Sequence, residues 1–392
     1  MSELARGPSI PASEYPARWR RVQEMMAARS LDLLLAYADD RATFGPAHAR
    51  WLANFPVHFE PACVVLPARG QPVMLVGPES DQYARLVGTV PDVRVMRELT
   101  HPDEDYPYAR IQPMAEILAD IGVGAAKRVG IGGKGLMGAE LLSAAQAALP
   151  GAAWVDCEGA LCQLRARKSA DEVAVIRHAY SIAARGFDPG VAAIRAGVTE
   201  RAVAAEIDAA MRRAGSEGTG IDTIVASGPH TRPILARSTF RVIEKNDLVL
   251  LTIAPRYEGY HAAIGRVVLV GSPPAEVEAA MEAAIAAQEA CGRALRPGVE
   301  GRAVEAIGRK VVAEAGLGQY FLYSGVHSLG IIEFEPPIFG PSSPAVLEED
   351  MVVSIDIPLF NAPWGGLRIE NGYLVTGGGA QPLHDTPLRI RK

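Results

Sequence analysis

Apolar and polar positions follow two different periods along the first 160 residues. Short apolar runs bounded by proline and glycine predict strands, and longer runs with apolar positions three and four residues apart predict helices. Strands that alternate with helices of this length indicate a mixed or parallel sheet with helices packed on it. The predicted strands are 31–38, 63–68, 72–78, 93–99 and 128–133, and the predicted helices are 15–29, 79–88, 105–122 and 137–150.

The pattern changes after about Glu158, and the rest of the chain predicts an internal repeat. Two long helical segments, a strand and a hairpin are followed by two further helices that match the first pair in length and order. Such a duplication would place one site between the two halves. Thr199 is expected to cap the second helix and Gly215 to end it. The predicted segments are 161–187, 197–215, 221–228, 250–266, 274–295 and 300–315.

Composition and charge narrow the class of protein. Apolar residues make up 49% of the chain, the net charge is −6, and basic residues form no long run. A substantial core is therefore expected, and binding to nucleic acid or to an anionic membrane is not. The four cysteines show no zinc-site spacing, which favours buried thiols in a reduced, cytoplasmic protein. No signal-peptide pattern and no apolar run long enough to span a membrane are seen, so we expect a soluble chain that is not exported.

Seven short motifs in a fixed order resemble the creatinase, prolidase and aminopeptidase P family. The resemblance covers nearly the whole chain. It implies an α/β (α+β) class with an N-terminal creatinase-like α/β domain over 1–160 and a C-terminal pita-bread domain, a pseudo-symmetric set of curved sheets, over 161–392. It also implies a homodimer. The motifs are RARKSADEVAVIRHA, GVTERAVAAEI, IVASGP, NDLVLLTIAPRYEGY, EPP, MVVSIDIP and GGLRIENGYLVT.

The metallopeptidase members of that family hold two metal ions with five ligands, and the resemblance places each ligand position in this chain. The two aspartates of the hairpin are replaced by Thr252 and Ala263. The histidine is kept as His327, the first glutamate is Asp356, and the last is kept as Glu370. A methyl group offers no lone pair and a hydroxyl is a poor substitute for a bridging carboxylate. A conventional aminopeptidase or prolidase mechanism is therefore not expected.

Two histidines that the family carries near its site are replaced as well, by Leu235 and Phe334, whereas Glu335 of the EPP motif remains. Creatinase has lost the same aspartates and hydrolyses a C–N bond without metal, and its hairpin ends in a similar GYxxA sequence. This chain departs from creatinase at Leu235 and at Gly265, so creatine is not the expected substrate.

The leading hypothesis is a metal-independent, creatinase-like hydrolase or lyase that cleaves a C–N or related bond of a small molecule. His261 and Ala263 are two residues apart, so on one continuous strand they would share a face and the imidazole would enter the emptied space. Histidine exchanges protons near neutral pH, and crowded carboxylates raise one another's pKa. The predicted acid–base residues are His261, His327, Asp356, Glu370 and Glu335, with no metal and no other cofactor.

Six further positions are predicted substrate contacts. His230 and Arg241 lie near the expected pocket, and an arginine suits an anionic substrate. The resemblance implies that Phe55 and His58 cover the pocket of the other subunit. Solvated loop and surface residues, or packing at a domain seam, are the alternative interpretations of these positions. The predicted contacts are His230, Arg241, Phe334, Thr252, Phe55 and His58.

Two other classes of function stay open. Two imidazoles and two carboxylates suit a single zinc or iron ion, which would make the chain a mononuclear metal hydrolase or lyase. A pseudoenzyme that binds a ligand or a protein is the other class. The ligands of the single ion would be His261, His327, Asp356 and Glu370.

Overall fold

The structure is a computed structural model that describes residues 6–41, 44–101 and 103–392. The chain divides into two compact units, one formed by Pro11–Leu164 and the other by Arg165–Lys392 with the segment that ends at Ile10. The boundary predicted after residue 160 lies inside a helix, Glu158–Ala166, and stays a prediction. In the part of the chain that is described, no helix is both long enough and apolar enough to cross a membrane.

The N-terminal unit is built on one mixed sheet. Its strands are β1 (Leu33–Ala38), β2 (Ala62–Pro67), β3 (Val73–Val76), β4 (Asp92–Met96), β5 (Ile111–Gln112), β6 (Arg128–Gly132) and β7 (Ala153–Asp156). Its helices are α1 (Tyr15–Ala28), α2 (Ala47–Ala53), α3 (Asp81–Val87), α4 (Met114–Asp120) and α5 (Ala139–Ala148). The strand order is β5-β4-β3-β2-β1-β6-β7, and β1 pairs antiparallel with β2 and parallel with β6. The mixed sheet expected from the alternating pattern is therefore present.

The helix predicted over 105–122 is much shorter in the structure. Only α4 is helical, and it begins directly after Pro113. Proline disfavours helical backbone at the residue before it, and its ring excludes it from a helix interior. Pro107 and Pro113 therefore restrict the helix to the part of the segment that follows them.

The second unit contains the predicted repeat. Its helices are α6 (Glu158–Ala166, which crosses the unit boundary), α7 (Ala170–Ala193), α8 (Glu200–Arg213), α9 (Ala275–Ala294) and α10 (Gly301–Glu314). Its strands are β8 (Gly218–Thr219), β9 (Ile224–Ser227), β10 (Leu248–Ile253), β11 (Pro255–Tyr257), β12 (Tyr260–His261), β13 (Ile264–Leu269), β14 (Val326–Ser328), β15 (Glu335–Ile338), β16 (Val352–Ala362), β17 (Gly365–Thr376), β18 (Gly379–Pro382) and β19 (Ile390–Arg391). The helix pair α7–α8 precedes β9, β10 and β13, and the pair α9–α10 precedes β14, β16 and β17.

The strands of both halves form one sheet of nine strands. Its main path is β15-β14-β16-β17-β13-β10-β9, with β18 on β17 and β19 on β13. The halves meet where β13 pairs with β17, at Gly265 opposite Glu370. Buried side chains from α9, α10, β16 and β17 belong to one apolar cluster, so the helices of the second half hold this part of the sheet in place.

The segment predicted as one helix over 161–187 is two helices. The first ends at Ala166, and Ser169 caps the second, because its hydroxyl accepts a hydrogen bond from the Glu172 backbone N–H at 3.1 Å. The Glu172 carboxylate in turn accepts from the Ser169 backbone N–H at 2.8 Å. This reciprocal capping box is a strong helix start signal. The predicted cap at Thr199 is present on α8, where its hydroxyl accepts from Ala202 N–H at 3.2 Å.

The hairpin predicted over 250–266 contains a second, tighter hairpin in its connection. β10 pairs with β13, and between them β11 pairs with β12 around a turn at Glu258–Gly259. Both turn residues have positive φ, 47° and 80°, which is the requirement of a type I′ turn. His261 consequently lies on β12 opposite Arg256, and Ala263 lies outside both strands. The expected common strand face of His261 and Ala263 does not form, because the strand is not continuous between them.

Behind the large sheet, the partly buried His384 packs against Tyr180. The two rings are stacked with centroids 5.2 Å apart and an angle of 4° between their planes. The His384 Nδ1 accepts a hydrogen bond from the Thr386 backbone N–H at 3.3 Å. Burial, helped by the positive charge of Arg266, lowers the pKa of His384 to about 3.

We predict that His384 makes the folded chain sensitive to mild acid. Its ordinary pKa is 6.5, so below that pH the unfolded chain binds a proton that the folded chain does not. The stabilisation is therefore complete above pH 6.5 and is lost as the pH falls, by about 1.4 kcal/mol per pH unit. His384→Phe keeps the stacked ring, and its urea unfolding midpoint should fall less between pH 7.5 and pH 5 than that of the wild-type chain. His58→Gln, at an exposed histidine, is the control, and equal falls for both variants would contradict the prediction.

Candidate active site

Charged side chains converge where the two halves of the repeat meet. Asp356 on β16 lies directly opposite Glu370 on β17. His327 on β14 lies opposite Ser354, which is two residues before Asp356 and so on the same face of the sheet. Arg368 is two residues before Glu370 and shares that face as well. The strand register therefore brings these groups to one side of three adjacent strands.

The hydrogen bond of His327 fixes which of its nitrogens faces the cluster. Its Nδ1 lies 2.9 Å from the Ser328 carbonyl oxygen, which only accepts, so Nδ1 carries the proton. The other nitrogen, Nε2, lies 3.8 Å from Glu370 Oε1, an ion-pair separation rather than a hydrogen bond. The Phe334 ring packs on the imidazole with centroids 4.2 Å apart. His327 therefore presents Nε2 to the carboxylates.

Glu333 is the third member of the cluster at His327. His327, Glu333 and Glu370 each offer one ligand atom, these atoms lie within 4.8 Å of one another, and all three residues are buried. Glu370 Oε1 also accepts a hydrogen bond from the Ser354 hydroxyl at 2.8 Å. The sequence analysis missed Glu333, because it lies in the irregular segment between β14 and β15, where no strand parity places a side chain. Its only signal was an acid two positions before the EPP motif.

Arg368, which the sequence analysis also missed, holds Asp356 and Thr252. Its Nε lies 3.1 Å from Asp356 Oδ2, and its Nη1 donates to the Thr252 hydroxyl at 3.2 Å. Its Nη2 donates to the Tyr323 hydroxyl at 2.5 Å, and that hydroxyl donates to Asp356. The side chains of Arg368 and Asp356 are 7% and 5% exposed, so this is a buried ion pair. Thr252 thus contacts a cation of the protein itself, and its predicted substrate contact stays a prediction.

Gly265 leaves room for the Arg368 side chain to extend over the face of the sheet toward Thr252. It lies between Thr252 on β10 and Glu370 on β17. A Cβ at this position would come within 2.6 Å of Arg368 Cγ and 2.8 Å of Glu370 Cβ, closer than real Cβ atoms approach their neighbours. Any larger residue here would displace the arginine stem.

Burial and mutual repulsion perturb the acids of the site. Burial raises the pKa of Glu333 to about 7, and the charge of Glu370 adds to the rise. Burial also raises the pKa of Asp356 to about 6, with Arg368 opposing the shift and Glu370 adding to it. Both pKa values are raised in the direction expected for crowded carboxylates, with burial as the larger cause. Charged carboxylates are costly to bury together without cations.

The pKa values of His327, Glu370 and Arg368 shift toward their charged forms. Burial disfavours the imidazolium, yet Glu370 and Glu333 more than offset it, so the pKa of His327 is raised. Burial likewise opposes the Glu370 carboxylate, but His327 and Arg368 lower its pKa overall. Burial also disfavours the guanidinium of Arg368, and Asp356 more than offsets this, so its pKa is raised.

His261 lies beside the cluster and is neutral. Burial, with the nearby charge of Arg256, lowers the pKa of His261 to about 3. Its Nδ1 lies 3.4 Å from the Gly330 carbonyl, and among the described residues its buried Nε2 has no hydrogen-bond partner. A Cβ on Gly220 would lie 2.9 Å from His261 Nε2 and 3.1 Å from Glu333 Cβ, so the ring borders the stem of Glu333. An imidazole this hard to protonate does not suit proton exchange near pH 7, which counts against its predicted acid–base role.

Glu335 belongs to a different polar group. Its carboxylate lies 2.6 Å from Arg165 Nε and 3.5 Å from Lys168 Nζ, and all three side chains are at most 2% exposed. Two cations hold this acid within the fold. Its predicted catalytic role gains no support from these contacts and stays a prediction.

His230 and Arg241 lie in a buried network around Glu200. The Glu200 carboxylate accepts hydrogen bonds from Ser227 and Thr239, and His230 Nδ1 lies 3.3 Å from it. Arg241 Nη1 lies 2.6 Å from an Asp247 oxygen, and its side chain is only 14% exposed. Arg241 therefore stabilises the loop by an internal ion pair. The half-exposed His230 remains a predicted substrate contact.

Phe55 and His58 lie in the N-terminal unit. They line a surface cavity of about 430 Å³ with Phe59, Glu79 and Tyr83. Phe55 is 1% exposed, whereas the His58 side chain is 91% exposed and lies 3.3 Å from Asp40. Their predicted role over a partner's pocket stays a prediction.

Comparison with known proteins identifies relatives of both units. Residues 174–377 match the model of metallopeptidase family M24, and residues 18–167 match the creatinase/prolidase N-terminal domain. The chain is 32% identical to a Xaa-Pro dipeptidase of Pyrococcus furiosus over 227 residues, 58% of this chain and 65% of that protein. It is 30% identical to a Xaa-Pro dipeptidase of Lactobacillus delbrueckii over 242 residues, 60% of this chain and 64% of that protein. The chain thus matches less than two thirds of the length of these curated relatives.

Solved structures share the fold over almost the whole chain. The prolidase of Pyrococcus horikoshii superposes with a TM-score of 0.82 at 23% identity, covering 95% of this chain and 99% of that one. The dipeptidase PepE of Mycobacterium ulcerans gives 0.82 at 26% identity, covering 98% and 100%. The predicted α/β (α+β) class, with an N-terminal creatinase-like domain and a C-terminal pita-bread domain, is confirmed.

The leading sequence-based hypothesis of a metal-independent, creatinase-like enzyme is wrong. The relatives are Xaa-Pro dipeptidases, and the C-terminal match is to a family of metallopeptidases. The expectation of no cofactor is wrong for the same reason, and the structure itself brings a histidine and two glutamates to ligand distance. Neither a lyase nor creatinase chemistry is supported. The error arose because two missing aspartates were taken to end metal binding, whereas Glu333 was not seen.

A two-ion centre of the kind that the resemblance implies does not fit this donor set. Ala263 offers no ligand atom, and the hydroxyl of Thr252 accepts from Arg368. Asp356 is paired with the same guanidinium. The ligands that remain together are those of His327, Glu333 and Glu370.

Loss of Arg368 should destabilise the fold through Asp356. Arg368→Met leaves a buried carboxylate without its cation, and breaking a buried ion pair on one side costs about 3–5 kcal/mol. Adding Asp356→Asn to that variant removes the stranded charge, so the double variant should regain most of the free energy of unfolding. Urea denaturation of both single variants and the double variant measures the coupling. Additive losses would show that the two side chains do not stabilise each other.

Proposed function

The chain belongs to metallopeptidase family M24, and on this basis we propose that it is a hydrolase that cleaves the amide bond of small, dipeptide-like molecules. Relatives at 30–32% identity are Xaa-Pro dipeptidases, which makes short peptides the first substrate class to consider. The observation that carries the proposal is the buried cluster of His327, Glu333 and Glu370 beside the Arg368 guanidinium.

The site offers what hydrolysis of an amide requires. The difficult step is the attack of water on a carbonyl, which places negative charge on the carbonyl oxygen, and nearby positive charge stabilises that oxygen. Arg368 is a fixed cation in this buried cluster. A divalent ion bound at His327 and the glutamates would supply Lewis acidity and activate water.

The cluster is also held rigidly. Ser328 fixes the tautomer of His327, and the Ser354 hydroxyl fixes one oxygen of Glu370. Such supporting hydrogen bonds orient ligands and catalytic groups. Phe334, packed on the imidazole, excludes water from one side of the ring and is a candidate for contact with the apolar part of a substrate. A homodimer and a lid from the N-terminal unit stay predictions.

The test is a peptidase assay with a small substrate panel. Gly-Pro, Ala-Pro, Ala-Ala and Ala-Pro-Ala are incubated with the protein and Mn²⁺, Zn²⁺ or Co²⁺, and released amino acids are quantified by chromatography. We expect dipeptide cleavage, with kcat/KM reduced about 100-fold or more in Glu370→Gln, since Glu370 is one of the three candidate ligands and even residues that only orient a metal ligand have effects of this size.

Glu206→Gln, at an exposed glutamate of α8, is the matched control and should retain the wild-type rate. Failure to hydrolyse any peptide with any of the three ions would overturn the proposed function. Equal rates for Glu370→Gln and the wild-type chain would show that the catalysis occurs elsewhere.

A further inference from the structure

We propose that the site is built for one divalent cation, held by His327, Glu333 and Glu370, and that the Arg368 guanidinium provides the second positive charge. This deepens the proposed function and rests on it for its chemistry, whereas the number of bound ions can be measured without any substrate. It also replaces the single-ion ligand set expected from the sequence, because Glu333 takes part and Asp356 is held by Arg368.

The lone pair of the neutral His327 imidazole points toward the Glu370 carboxylate. Because Nδ1 of His327 donates to the Ser328 carbonyl, the lone pair of the neutral imidazole is on Nε2. That nitrogen faces Glu370 Oε1 at 3.8 Å. A neutral imidazole and a carboxylate at this distance repel unless a positive charge lies between them, and either a proton on Nε2 or a metal ion supplies it. Ligand atoms that are each about 2.1 Å from one ion lie roughly 3–4 Å apart, so the gap suits a metal ion.

Glu333 completes a set of three ligand side chains. Three protein ligands with an open fourth position are the usual arrangement of a catalytic zinc. The ligand atoms of Glu333 and the other two residues lie within 4.8 Å of one another. His261 Nε2, which is buried and lacks a partner among the described residues, borders the stem of Glu333. His261 Nε2 is therefore one more buried polar atom beside the cluster that lacks a hydrogen-bond partner among the described residues.

The balance of buried charge favours one ion over two. Glu333, Glu370 and Asp356 are each less than a tenth exposed. The guanidinium of Arg368 lies 3.1 Å from Asp356, and the charge of Arg266 also acts on Glu370. Three carboxylates against two guanidiniums leave one negative charge, which one divalent ion more than cancels. A second ion would leave a large excess of positive charge in a buried site. Burial of uncompensated charge of either sign is strongly unfavourable.

Arg368 contacts the residues at two other ligand positions of the family, Thr252 and Asp356. It reaches Thr252 and Asp356, two of the positions that the resemblance assigns to metal ligands, across the two strands β13 and β17 that lie between them. Gly265 lies between Thr252 and Glu370 and leaves room for the arginine stem. The guanidinium therefore engages the Thr252 hydroxyl and Asp356 Oδ2, whereas the buried Asp356 Oδ1 has no hydrogen-bond partner among the described residues.

The test is the number of metal ions that each chain binds. The protein is loaded with Zn²⁺ or Mn²⁺, freed of excess metal by gel filtration and analysed by mass spectrometry of the metal, with affinity measured by calorimetry. We expect about one ion per chain. Glu333→Gln should weaken binding by about 100-fold or more, since residues that only orient a ligand already reach this scale. Glu206→Gln, the exposed glutamate on α8, should bind as the wild-type chain does.

A second set of variants tests Arg368. Thr252→Asp with Ala263→Asp restores both carboxylates and should still bind one ion while Arg368 is present. Adding Arg368→Met should raise the count to two. No ion or two ions in the wild-type chain, unchanged affinity in Glu333→Gln, or two ions in the Asp variant that keeps Arg368 would each overturn the proposal. One bound ion without cleavage of any peptide would instead support the one-ion site and overturn the proposed function.

Discussion

The buried pair of Arg368 and Asp356 constrains everything else in the site. A guanidinium removed from water needs a carboxylate and hydrogen-bond acceptors. Asp356 provides the carboxylate at ion-pair distance, and the Tyr323 and Thr252 hydroxyls accept hydrogen bonds. This requirement explains a hydroxyl rather than an apolar group at Thr252 and a glycine at Gly265. It also engages Asp356 Oδ2, which is then not free to bind an external cation.

The repeat places this pair and the ligand cluster on one surface. β13 and β17 join the two halves, and the register there brings Gly265, Glu370 and Asp356 into one row across three strands. His327 enters from the neighbouring strand β14 through its pairing with β16. Because side chains alternate in direction along a strand, a shift of one residue in any pairing would turn these groups to the opposite face. The apolar cluster of α9 and α10 against β16 and β17 makes such a shift costly.

Much of this arrangement can be predicted from the sequence, and the predictions that were wrong or missing have physical causes. His327, Asp356 and Glu370 stand on regular strands, so motif and parity located them correctly in one cluster. Arg368 was equally predictable, since it is two residues before Glu370 and shares its face, but an arginine is no metal ligand and stands in no ligand motif. The common strand face expected for His261 and Ala263 was wrong because a second hairpin interrupts the strand. Irregular segments such as the one that carries Glu333 have no periodicity, so no rule of alternation could place that side chain.

Family membership and donor chemistry answer different questions about such a site. Membership fixes the fold and the strands from which ligands project. The number of cations that a buried site can hold is set by its charges and lone pairs, which depend on individual residues. An internal guanidinium is permanently charged and cannot dissociate, so it compensates carboxylates at any metal concentration. A chain that exchanges one ion for an arginine therefore keeps positive charge in the site while it depends on the supply of only one metal ion.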